Sequence, residues 1–268
     1  MKVGISNLAW AAGDDALIAP VLVAAGVSSI DVAPGKYAAE PGWPGAARRV
    51  RERWADRGIG IEAVQSLFYG HPELDIFNSP GPMLAHLAGV LDVAAELGAT
   101  KLVFGSPANR RPRARPFAEA WDLALQFLHH AGELAAARSC VLCVEAAPVA
   151  YGGAFAVTTE EAARWVAAAG HRAVRLQLDL GIASLCGEPV DALLTAHSPL
   201  VGHVHLSEPQ LRTLGDGATD HEAGARALHR TIPDVSTSIE MLPQPGGDCV
   251  TDVARALQLA MARYGFPA

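Results

Sequence analysis

Four stretches decide the fold: VLCVEAAP (141–148), LQLDLG (176–181), GHVHLSE (202–208) and SIEM (238–241). In each, a short apolar run ends on a residue that binds metal well: Glu145, Asp179, His205 and Glu240. Side chains alternate along a strand, so Glu145 shares a face with Cys143, Asp179 with Gln177, His205 with His203 and Glu240 with Ser238. Leu142, Val144, Leu176, Leu178, Val204, Leu206, Ile239 and Met241 point the other way, toward a helix layer. The four residues are separated by 34, 26 and 35 positions, each about the length of one strand, one helix and two loops. Consecutive units of a parallel β/α barrel have that spacing. A single strand-end polar residue is ordinary, but four in phase at unit spacing point to one site.

Working outward, eight β-rich segments fall at 2–6, 28–33, 59–66, 100–105, 140–146, 174–179, 201–206 and 237–241, with Ala-rich stretches between them. The clearest helices are predicted over 83–98, 117–139 and 158–170, from apolar residues near the i, i+3, i+4 pattern. Thr158 or Thr159 followed by Glu160 and Glu161 suits a helix start, and Gly98 and Gly170 suit helix ends. Eightfold alternation favours a single closed (β/α)8 TIM barrel over 1–268 rather than an open sheet. No Gly-x-Gly-x-x-Gly follows the first strand, so a dinucleotide site lacks its main support. Long loops at 34–46, 66–82 and 207–222 follow strands two, three and seven, where they would cover the catalytic mouth.

Composition narrows the function. A chain of 268 residues, half of them apolar, can bury a large core, and a net charge of −7 gives no basic footprint for nucleic acid. The N-terminus lacks the pattern of a signal peptide and no apolar run approaches membrane-spanning length, so a soluble, cytoplasmic protein without membrane partners is expected. Four cysteines do not make a disulfide framework. Odd spacing in Cys140-x-x-Cys143 turns the two thiols to opposite faces of a strand, against a redox pair.

Three carboxylates and an imidazole form a hard, mostly oxygen ligand set. It suits one divalent ion per chain, Mn²⁺ in the first place, with Mg²⁺, Co²⁺, Zn²⁺ or Fe²⁺ as alternatives. With these residues in view, the chain resembles the sugar phosphate isomerase/epimerase superfamily of xylose isomerase-like TIM barrels, which includes ketose 3-epimerases, inosose dehydratase and endonuclease IV. The Glu, Asp, His, Glu series carries the resemblance over essentially the whole chain, supported by GDGATD at 215–220, which looks like the family's turn before the last helix and strand.

The resemblance implies that Glu145, Asp179, His205 and Glu240 hold one metal and that Glu145 and Glu240 also serve as an acid/base pair on opposite faces of the substrate. The implied reaction is isomerisation or epimerisation of a sugar, sugar phosphate or polyol by proton transfer through an enediolate. Two alternatives stay open: a lyase on the same scaffold, either an inosose-type dehydratase or a β-eliminating enzyme, and a non-catalytic sugar-binding accessory subunit. Departures bear on the substrate. Ketose epimerases of this superfamily and endonuclease IV carry a His three residues after the strand-six Asp, where this chain has Ile182, and the epimerases tend to place an Arg six residues beyond the strand-seven His, where it has Leu211 with Arg212 adjacent. With the acidic charge, the missing His counts against DNA cleavage.

Further candidates for substrate contact are Lys36 just past strand two, Gln65 at the end of strand three, Arg110 and Arg111 in ANRRPRAR (108–115), Glu208 and His221. Guanidinium groups at the mouth would suit a phosphate or carboxylate. Trp10, Phe68 and Tyr69 could wall the substrate or simply pack, and His203 is expected to be a hydrogen-bonded residue one layer below His205. The expected partner is a small sugar or polyol, with a homo-oligomer as an allowed assembly.

Overall fold

The computed structural model describes residues 1–39, 42 and 44–265. Glu40, Pro41 and Trp43 of the predicted loop at 34–46 therefore lie outside the described residues, as do the last three positions. Eight strands close into a parallel barrel in sequence order: β1 (Val3–Ser6), β2 (Ser29–Val32), β3 (Gly60–Val64), β4 (Lys101–Phe104), β5 (Val141–Val144), β6 (Val174–Asp179), β7 (Val201–Ser207) and β8 (Thr237–Glu240). Outside them run α1 (Asp15–Ala24), α2 (Ala47–Ala55), α3 (Pro80–Leu97), α4 (Phe117–Ala136), α5 (Thr159–Ala169), α6 (Leu180–Leu185), α7 (Val190–His197), α8 (His221–Thr231) and α9 (Cys249–Tyr264).

Local chemistry sets the element ends. Thr158 Oγ1 accepts the Glu161 backbone N–H at 3.2 Å while Glu161 Oε2 accepts that of Val157 at 2.8 Å, a reciprocal cap that starts α5. Gly98 and Gly170 close α3 and α5 in the left-handed region, at φ 79° and 58°. The predicted start of α3 at Met83 is one turn late, because Pro80 occupies the first turn, where its missing N–H is harmless.

The alternation survives in three dimensions. Leu142, Val144, Leu176, Leu178, Val204, Leu206, Ile239 and Met241 are all buried in the apolar layer between sheet and helices. Cys143, Gln177, His203 and Ser238 are buried as well. Cys140 and Cys143 are free thiols, and burial pushes the Cys143 thiol up to about 12, which leaves it inert. Register shifts interrupt the ladder between Ile30 and Asp31 on β2 and between Leu176 and Gln177 on β6. Non-glycine residues adopt the left-handed region in loops past the strand ends: Ser66 (φ 58°), Ser106 (φ 45°), Gln210 (φ 58°) and Leu211 (φ 52°). No helix among the described residues is long and apolar enough to cross a membrane.

Candidate metal centre

Strand ends bring Glu145, Asp179, His205 and Glu240 together, each offering one ligand atom, with all four atoms within 4.8 Å of one another. Glu145 stands one residue past β5, where its backbone N–H still donates to Phe104 O at 3.1 Å. His205 Nδ1 lies 3.3 Å from Glu145 Oε1, 3.3 Å from Glu240 Oε2 and 3.9 Å from Asp179 Oδ2. His205 and Asp179 are buried, and the Glu145 and Glu240 side chains are 13% and 12% exposed, which leaves the centre a narrow opening.

Three crowded carboxylates repel one another. Burial, with Glu145 and Glu240 adding their charges, raises Asp179 to about 8. Glu145 is raised by burial and by Glu240, against the pull of His205 and Arg110. Neither Glu145 Oε1 nor His205 Nδ1 has a hydrogen-bond partner. A divalent cation would supply the missing partner and the opposing charge, so these donors fit one.

Supporting residues fix the ligands. Asp179 Oδ1 accepts the backbone N–H of Ile182 at 2.5 Å, which caps α6, and the Ser207 hydroxyl at 2.7 Å. Gln65 donates from Nε2 to Glu240 Oε1 at 2.6 Å, so this predicted contact residue touches a member of the candidate centre directly. Gly105 leaves room for Glu145, since a Cβ there would sit 2.6 Å from Oε2.

Asp31, not anticipated from the sequence, lies beneath His205. Its Oδ2 is 3.4 Å from His205 Nε2 and 2.8 Å from His203 Nε2. Burial works to raise this carboxyl, but the two imidazoles prevail and hold it well below the usual carboxylate range. Carboxylates behind ligating histidines fix ring orientation. The alternation that placed His205 inward places Asp31 inward too, so the signal was present in SIDV (29–32).

Several candidates stand elsewhere than expected. Glu208 and His221, read as substrate contacts, are buried against each other: His221 Nε2 is 3.0 Å from Glu208 Oε1, and His221 Nδ1 is 2.7 Å from the Tyr264 hydroxyl. Glu208 also accepts backbone N–H groups of Gly215 and Thr219, both at 3.0 Å, so the pair fastens the GDGATD turn instead of facing a substrate. Arg110, read as a substrate contact at the mouth, is fully buried. Its Nη2 donates to Glu145 O at 2.6 Å and its guanidinium carbon lies 5.2 Å from the Phe104 ring centroid. Burial lowers its pKa to about 9. Arg111 is exposed and donates to Gly152 O at 3.2 Å.

Lys36 is half-buried, with Nζ donating to the carbonyls of Leu8, at 3.3 Å, and Trp10, and burial lowers its pKa. A cavity of about 880 Å³ opens on this side, lined by Leu8, Lys36, Ser66, Leu67, Tyr69 and Leu242 among others. Two of its lining residues are close in sequence to the centre: Ser66 follows Gln65 and Leu242 lies two residues beyond Glu240. Trp10 and Phe68 are buried in the core, whereas Tyr69 is 87% exposed.

A closed eight-stranded barrel with a carboxylate and imidazole centre at its strand ends defines a class, and comparison with known proteins agrees. The model of the xylose isomerase-like TIM barrel family matches residues 20–258, and the chain belongs to that family. No curated protein matches it in sequence. Similar solved structures include D-psicose 3-epimerase in the presence of D-fructose, at 18% identity and TM-score 0.78, covering 99% of this chain and 100% of that one. The apo 3-keto-D-glucoside 4-epimerase YcjR from E. coli is similar at 15% identity and TM-score 0.81, covering 98% and 99%. The IolI protein with a bound zinc atom is similar at 15% identity and TM-score 0.77, covering 98% of each chain.

Proposed function

We propose that this chain is a divalent-metal-dependent isomerase or epimerase acting on a small sugar, polyol or related hydroxy-carbonyl compound. The observation that carries the reading is the placement of two glutamate carboxylates, each 3.3 Å from one imidazole nitrogen, at the narrow opening of one buried centre. Structural neighbours named as sugar epimerases support it. A bound Mn²⁺ or similar ion would polarise the substrate carbonyl and its neighbouring hydroxyl.

The chain's own residues then divide the work. Glu145 or Glu240 takes a proton from the carbon beside the carbonyl, and the other carboxylate returns one to that carbon or its neighbour. Gln65 holds Glu240 Oε1 in one orientation, and burial excludes competing water. The apolar side of the cavity receives the part of the substrate that does not react.

Turnover in D₂O tests the reading. Deuterium should enter the product at the carbon that changes, with substrate and product of equal mass apart from the label. Glu145→Gln and Glu240→Gln should each abolish turnover, with metal occupancy measured alongside. Quantitative retention of the substrate hydrogen would overturn proton transfer in favour of a hydride shift, and loss of water or another fragment would assign a lyase.

A further inference from the structure

Two large apolar side chains of the strand-end loops are left in solvent: Leu242, past β8, is 41% exposed, and Tyr69, past β3, more so. Both backbones are pinned. Leu242 N–H donates to Leu211 O at 2.9 Å and Leu242 O accepts from Gln244 Nε2 at 2.7 Å, while Tyr69 N–H donates to Ser66 O at 3.1 Å. Both side chains line the 880 Å³ cavity, with Leu8, Pro34, Leu67 and Val90 among its other walls. Chain connectivity keeps that wall near the carboxylates. Gln65 and Glu240 are bonded at 2.6 Å, and the wall begins one residue past the first, at Ser66, and two past the second, at Leu242. Two residues of chain span at most about 7 Å, which puts the wall within a few bonds of a carbon held at Glu240.

The polar groups around the cavity are committed to the protein itself. Lys36 Nζ donates to the carbonyls of Leu8 and Trp10, His86 Nε2 lies 2.9 Å from Leu67 O, and His71 Nδ1 lies 3.0 Å from Glu73 Oε1. Among the described residues no arginine lines it: Arg110 donates to the Glu145 carbonyl and Arg111 to that of Gly152. A phosphate there would meet a single lysine already bonded to two carbonyls.

We propose that the substrate is an uncharged hydroxy-carbonyl sugar bearing an apolar substituent, an aryl or alkyl ether or glycoside, with that substituent held against Leu242 and Tyr69. The inference rests on the isomerase reading of the centre and names the substrate class within it. Covering two exposed apolar side chains removes apolar surface from water, which favours a substituted over a free sugar and gives a phosphorylated one no advantage.

The test compares D-fructose, D-fructose 6-phosphate and 6-O-benzyl-D-fructose, which share one reacting end. Calorimetry with Mn²⁺ present measures their binding, and turnover in D₂O follows their carbon-bound hydrogen. The benzyl ether should bind about tenfold or more tighter than D-fructose, and the phosphate no tighter. Replacing both wall residues, Leu242→Ser with Tyr69→Ser, should bring the benzyl-to-fructose ratio to within about twofold of one. Leu242→Met should keep the preference, and so should Leu17→Ser, at an exposed leucine of α1 outside the cavity. Equal or weaker binding of the benzyl ether, tighter binding of the phosphate, no binding of any of the three, or a preference that survives the double replacement overturns the inference. Deuterium exchange without a benzyl preference upholds proton transfer and sinks this inference alone. A benzyl preference without exchange in any of the three upholds the apolar subsite and sinks the proton-transfer reading separately.

Discussion

Gln65 reaches across from the end of β3 to Glu240 at the end of β8, donating from Nε2 to Oε1 at 2.6 Å within a buried environment. A carboxylate that must hold a cation and move a proton has to present the same oxygen each time. Gln65→Leu should therefore lower kcat about tenfold or more with a smaller change in KM, because it removes orientation rather than a uniform substrate contact. Steady-state kinetics with metal in excess measures this, and a pure KM effect would reassign Gln65 to the substrate.

Metal binding should be stoichiometric and linked to protons. Asp179 is raised to about 8, so it carries a proton near neutrality and must release it to a cation, and burial shifts Glu145 in the same direction. Calorimetry in two buffers of different ionisation heat should show about one ion per chain, with proton release and an affinity that falls as pH falls. His205→Ala should reduce affinity at least about tenfold. Full activity after exhaustive chelation would rule out the site.

Glu208 supplies a separate acid dependence. Despite burial, hydrogen bonds from His221 and Thr219 lower its pKa to about 2, below the unfolded value of 4.5. A depressed folded pKa means stability that is fully present above the unfolded value and is lost as pH falls toward 2. Glu208→Ala should destabilise the protein on the order of 2 kcal/mol at pH 7 and flatten the loss of stability below pH 5. Chemical denaturation across that range checks both.

Much of the fold and part of the site were legible in the sequence, for the same reason. A parallel barrel repeats one unit, so strand ends recur at unit spacing, and alternation assigns each side chain a face. Those two rules recover the eight strands and the four residues that the strand ends bring together. They extend to Asp31, which a short strand with one acid does not advertise and whose register shift no pattern encodes. Loops follow neither rule. Arg110 appears in a run of arginines as an anion contact at the mouth, yet Phe104 and the Glu145 carbonyl bury it. Glu208 lies three residues past His205, close enough in sequence to suggest the pocket, and the chain turns it back into its own loop.

The left-handed backbone at Ser66, Ser106, Gln210 and Leu211 bears on how this protein would respond to selection. Each such residue costs about 1 kcal/mol relative to a relaxed conformation, and all four occur in loops past the ends of β3, β4 and β7. A search for heat-resistant variants would find glycine rewarding at these positions. The sturdier proteins so obtained would have relaxed the ring that aims Gln65 and frames Glu145, and robustness would be gained by blunting the catalyst.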